Sequence, residues 1–166
     1  MTKTMNDAAR HSCKLIESAL GQSGAFHRIE RGLYVVRQGS AYVTIEVISG
    51  KKGQVIVRFV ASLAQGVRLT RELATELLTM NALLRFGAFG YVPAGRAVTL
   101  SHSILGGLTL DAPEIVATLR DIALIADEYD DRIVAQGGGM RMQDMLEDEA
   151  LANITRSLED RKAVPN

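Results

Sequence analysis

Tryptophan is absent from these 166 residues, cysteine occurs once, proline three times, and aromatics make up 5%. Such a chain is poorly supplied with the aromatic platforms on which single-stranded nucleic acids stack. A lone Cys13 excludes an internal disulfide and a cysteine-rich zinc site. Net charge is missing too, because 19 basic residues balance 19 acidic ones. Nucleic acid and anionic membrane are gripped by basic surfaces through counterion release, so neither is an expected partner. No apolar run approaches the roughly 20 residues that span a bilayer. The opening MTKTMNDAARHSCK lacks the apolar core of a secretory signal. Cytoplasmic location is the resulting expectation.

What the chain has is apolar content: hydrophobic residues are 47%, enough for one domain with a sizeable core. Residues 1–4 read as frayed. Asn6 can cap a helix that runs to about Leu20, because Ala9, Cys13, Ile16 and Leu20 recur at spacing 4, 3, 4. Gly21 to Gly24 end it, and Cys13 reads as a small buried hydrophobe. From Phe26 to about Ser62 the period becomes two. Three strands are expected: Leu33 to Arg37, Ala41 to Ile48, and Val55 to Ser62, joined by short turns into an antiparallel meander. Ala41, Val43, Ile45 and Val47, with Val55, Val57, Phe59 and Ala61, should face the core. Tyr34, Tyr42, Ile48, Ile56 and Val60 then fall on the other face. A half-apolar outer face is either covered by another part of the chain or used for contact.

Thr70 can cap the next helix, expected to run to about Leu84 with Leu69, Leu73, Leu77 and Leu84 on its apolar face. Leu78 and Met80 widen that face beyond one buried stripe, as a subunit interface would. Asn81 sits where it can satisfy backbone groups at the helix-to-strand change. Phe86 to Tyr91 and Arg96 to His102 read as a second hairpin. Asp111 caps a long helix, with Pro113 in its first turn and Glu114 completing a capping box. Its stripe is Ile115, Leu119, Ile122, Ala126, Tyr129 and Ile133, at spacing 4, 3, 4, 3, 4. Gly137-Gly138-Gly139 ends it and reads as a flexible joint. The expected division is a domain over residues 1–139 and a C-terminal tail over 140–166. In that acidic tail Leu151, Ile154 and Leu158 could form a weak amphipathic helix. A mobile tail and a segment docking on a partner subunit are both open.

Catalytic signals are weak. Gly50-Lys51-Lys52-Gly53 lacks the spacing of a phosphate loop and reads as a solvated turn. Asp127, Asp130 and Asp131 share a helix surface and could meet a divalent cation, but no second ligand set accompanies them. His11, His27 and His102 share no ligand spacing, so no metal or other cofactor is expected. Ser101 and His102 are adjacent on a strand and point to opposite faces, so they form no nucleophile–base pair. Asn153-Ile154-Thr155 matches a glycosylation sequon that a cytoplasmic chain would not use.

The stretches MNALLRFGAFG, GRAVTLSHSILGGLTLD and IADEYDD, in the order helix, three strands, helix, two strands, helix, resemble the YbjN-type family. That family is part of a type III secretion chaperone-like superfamily. The resemblance covers roughly residues 6–136. It rests on Asn81 before Leu84-x-Phe86-Gly87, on the Gly95-Arg96 turn, and on Ala126-Asp127-x-Tyr129-Asp130. It implies an α+β fold with a five-stranded twisted antiparallel sheet, helices packed on it, order α-β-β-β-α-β-β-α plus the tail, usually as a homodimer. It also implies binding of an unfolded client segment on apolar patches. The expected function is therefore a non-enzymatic peptide- or protein-binding module, such as a chaperone for an unfolded client. Tyr42, Ile48, Ile56 and Val60 are the candidate peptide-binding face; Leu77, Leu78 and Phe89 are the candidate dimer interface. Two alternatives are an intracellular regulatory or structural subunit acting through one stable partner, and an enzyme or ligand binder using the three aspartates.

Overall fold

The computed structural model describes residues 5–162, with side chains described to residue 156. Residues 1–4, expected from the sequence to fray, and the side chain of Leu158 lie outside that description. The first helix, α1, is Asp7–Leu20. The Asn6 side chain accepts the Ala9 amide at 2.8 Å, and the expected stripe of Ala9, Cys13, Ile16 and Leu20 is buried with Ser12. Four strands follow: β1 Phe26–Glu30, β2 Leu33–Gln38, β3 Ala41–Ser49 and β4 Val55–Gln65. Helix α2 is Arg71–Asn81, capped by Thr70, and the hairpin β5 Ala88–Val92 and β6 Ala97–Leu105 comes next. Helix α3 spans Ala112–Gly137, β7 is Met140–Arg141, and α4 is Met142–Lys162.

The strands form one antiparallel sheet in the order β1-β2-β3-β4-β6-β5, and β7 pairs with the far end of β4. The α+β class and antiparallel meander agree with expectation, whereas the described residues form seven strands rather than five. Both extra strands are silent in the sequence for physical reasons. Four of the five β1 residues are exposed, so it shows no alternation. β7 is only two residues long.

One sheet face packs against α1 and α3. Val43, Ile45, Val57, Phe59, Ala61 and Leu100 on that face are fully buried, and Ile115, Ile122 and Ile133 meet them from α3. Each of the valine, isoleucine, leucine and phenylalanine side chains contributes about 1.5–3 kcal/mol by leaving water. Tyr34 corrects the outer-face expectation: it is 0% exposed. Its pairing with Ile45, and that of Val36 with Val43, fix both side chains on the core side. The β2 run Leu-Tyr-Val-Val is apolar on both faces, so alternation could not choose between them. Tyr34 stacks on Phe26 and donates its hydroxyl to Glu17 Oε1 at 2.9 Å. Burial, then the Cys13 and Glu17 neighbours, push its phenol well above the ordinary range.

Two boundaries also differ from expectation. Helix α2 stops at Asn81 rather than Leu84, because the Ala82 amide turns back to the Thr79 and Met80 carbonyls and tightens the last turn. The Gly137–Gly139 segment is a packed corner rather than a flexible joint. A Cβ on Gly139 would lie 2.2 Å from the Gln65 carbonyl oxygen, and one on Gly137 would lie 2.6 Å from Val67 Cγ1. The Arg68 amide also donates to the Gly137 carbonyl at 2.9 Å. The chain therefore leaves α3 in a set direction, and the segment expected as a tail begins as β7 and α4.

Candidate peptide-binding surface

Strand register places the outer-face residues in rows across β3, β4 and β6. Ile48 lies opposite Ile56, and Ile56 opposite Leu105. The next row is Glu46, Arg58 and Ser103, the third is Thr44, Val60 and Ser101, and Ser62 pairs with Thr99 beyond it. Tyr42 sits near that last end, with the Arg37 guanidinium 5.7 Å from its ring centre. All four candidate face residues thus share the outer face, but they are not contiguous. Ile48 and Ile56 touch across strands, whereas the Glu46–Arg58 row separates them from Val60 and Tyr42. Leu105, 59% exposed, extends the apolar row. Sequence reading missed it, although it ends an otherwise polar alternation of Thr99, Ser101 and Ser103 on β6. The turn carrying Lys51 and Lys52 borders this row between β3 and β4.

At the opposite edge, α2 packs beside β5 and frames an apolar cavity of about 150 Å³, lined by residues that include Leu69, Leu77, Leu78, Asn81, Phe89 and Tyr91. The three candidate interface residues meet here. Leu77 and Phe89 are buried, and Leu78 stands 69% exposed at the rim. Asn81 does what its position suggested. Its Oδ1 accepts the Phe89 amide at 2.7 Å and its Nδ2 donates to the Phe89 carbonyl at 3.2 Å. One side chain thereby copies the bonding of a neighbouring strand and closes part of the β5 edge. At the β1 edge, only β2 pairs with β1 among the described residues.

The polar candidates are engaged in structure. Asp127 accepts the Ser40 amide at 2.9 Å, and those Ser40 bonds hold its carboxyl below the ordinary range. Ser40 Oγ also reaches Asp130 Oδ2 at 2.9 Å; burial pushes the Asp130 carboxyl upward against that bond. Asp131 pairs with Arg141 at 2.9 Å, and Arg141 grips Asp144 through two nitrogens. The three aspartates therefore join the β2–β3 turn, α3 and the start of α4. His102 points to the core side, where Nδ1 accepts the Gly87 amide at 3.1 Å, while Ser101 and Ser103 point outward. Cys13 is buried beside Met5. No helix among the described residues is long and apolar enough to cross a membrane.

Residues 10–145 match the model of the family described as T3SS (YopN, CesT) and YbjN peptide-binding chaperone 1, TY-Chap1. The chain belongs to the TY-Chap1 family. A chain in the crystal structure of the ExsC–ExsE complex shares the fold, with a TM-score of 0.56 and 14% identity. That likeness covers 80% of this chain and 97% of the other. Among curated proteins none matches. Membership makes this chain a peptide-binding chaperone-type protein, which agrees with the resemblance carried by Asn81, Gly95-Arg96 and the Ala126–Asp130 segment. The TY-Chap1 match runs past Gly139, through β7 and into the first turn of α4.

Proposed function

We propose that this TY-Chap1 protein is a non-enzymatic cytoplasmic chaperone whose domain, residues 1–139, holds an extended client segment on the outer sheet face. The observation that carries this is the apolar row Ile48–Ile56–Leu105 on the face away from α1 and α3, with Leu105 exposed and Ile48 and Ile56 half-buried. Val60 and Tyr42 provide a second apolar foothold beyond the Glu46–Arg58 row. A client crossing the strands would place apolar side chains on both footholds and polar ones between them. Its backbone could also add to the β1 edge, since strand addition gives affinity without demanding one sequence. The β5 edge is less open to this because Asn81 holds Phe89. We further propose that Leu77, Leu78 and Phe89 form a homodimer contact, with Leu78 of each copy entering the cavity of the other.

An array of immobilised peptides differing in apolar content tests the face. Ile56→Asp should weaken binding at least about tenfold, as loss of a central apolar anchor does. Unchanged binding by Ile56→Asp and Ile48→Asp would overturn the assignment. In a chain whose α4 helix carries Leu151→Asp and Ile154→Asp, adding Leu78→Asp should halve the mass seen by light scattering; an unchanged mass would place the interface elsewhere.

A further inference from the structure

The arm formed by α4 is rigidly rooted yet covers nothing of its own domain beyond its first turn. Its root is the glycine corner, the β7–β4 pairing and the Arg141 bonds to Asp131 and Asp144. From Leu146 to Arg156 every residue is exposed, including Leu151 at 63% and Ile154 at 57%. Leu146, Ala150 and Ile154 recur every four residues, with Leu151 beside them, so they share a helix face. Residues 142–155 carry Asp144, Glu147, Asp148 and Glu149 and no lysine or arginine. The arm is thus an apolar stripe with acidic flanks.

The row Ile48–Ile56–Leu105 has the opposite character. Lys51, Lys52, Arg58 and Arg31 surround it, and none is ion-paired among the described residues. Arg31 belongs to this end because the Gly32 carbonyl beside it accepts the Val47 amide. Glu30 and Glu46 offset only part of that charge. The arm starts at the other end of β4, beside Ala64 and Gln65. Ile56 is about 26 Å away along that strand, and the helix from Met142 to Ile154 rises only about 18 Å.

We infer that the α4 arm of one copy docks its apolar stripe on the Ile48–Ile56–Leu105 row of a second copy, its acidic residues facing Lys51 and Lys52. Two copies exchanging arms make a closed, self-complementary pair. This rests on the outer face being the binding face, and it adds that the arm occupies that face until a client displaces it.

The test is light scattering on the full chain carrying L78D, which removes the other proposed contact. The mass should stay at twice 18.0 kDa. Adding K51E and K52E should raise the dimer dissociation constant at least about tenfold. Adding E147K, D148K and E149K to that variant should restore the dimer. A monomer with L78D alone, or no restoration by the reversed arm, overturns the inference. The same proteins are read on the peptide array. Peptide binding lost with I56D while L151D and I154D leave the mass unchanged would sink the arm and keep the binding face. Binding and mass both untouched by I56D would sink both.

Discussion

Strands β3, β4 and β6 present two faces made by alternate residues of the same segments, and the faces differ in what their side chains are for. On the inner face Val43, Ile45, Val57, Phe59 and Leu100 exclude water completely and meet α1 and α3. On the outer face the same strands give an apolar row, then a charged row, then a mixed row. An apolar residue inside is held by neighbours on every side, whereas one outside is waiting for a neighbour from elsewhere. Hydrophobicity alone would not mark a binding surface; under the proposed function the mark is apolar area that α1 and α3 leave exposed.

The largest effect should come from breaking the inner face. Phe59→Ala removes a fully buried ring from the centre of β4 and should cost about 3–5 kcal/mol. That is a large part of the roughly 5–15 kcal/mol available to a domain. Chemical denaturation would read it as a lower midpoint. Ile56→Asp, three residues earlier on the outer face, should cost only about 1 kcal/mol in the same measurement while losing peptide binding. Equal stability losses from the two substitutions would erase the distinction between the faces.

A smaller effect should come from Asn81, which separates one sheet edge from the other. Asn81→Ala removes both bonds to the Phe89 backbone and should cost about 1–2 kcal/mol. Hydrogen exchange at the Phe89 amide should accelerate, and exchange along β1 should not change. Unaltered protection at Phe89 would mean that β5 is shielded by α2 alone.

Much of this was legible in the residues. The α1 and α3 stripes, the Asn6, Thr70 and Asp111 caps and the inward sets of β3 and β4 follow from spacing, because burial on one side imposes a period. What spacing could not convey were pairings between distant segments. β1 is an edge strand with little to bury, so it leaves no period, and β7 is defined only by Ala64 and Gln65 opposite it. Tyr34 was misplaced because β2 is apolar on both faces, and Leu105 was missed because its importance comes from lying across from Ile56. The glycine corner read as a joint because three glycines look alike whether they are loose or packed against a carbonyl.

The smallest effect concerns the carboxylates that tie the β2–β3 turn to α3. Asp127 and Asp130 share Ser40 but are pushed in opposite directions, the first downward by its bonds to Ser40 and the second upward by burial. A depressed carboxyl contributes stability above its unfolded value and loses it as pH falls through its folded value. Asp127→Asn should therefore destabilise the fold modestly near neutral pH, and the difference should vanish on acidification below the ordinary carboxylate range. A raised carboxyl works the other way. Its contribution is full below the unfolded value and lost as pH rises through the folded one, so at neutral pH the charged Asp130 is a cost. Asp130→Asn, which keeps an acceptor for Ser40, should be neutral or slightly stabilising at pH 7 and lose any advantage in acid. Denaturation midpoints of the two variants across pH decide this. Parallel curves for both would show that Ser40 does not distinguish the two carboxylates, and that the turn is held by its backbone alone.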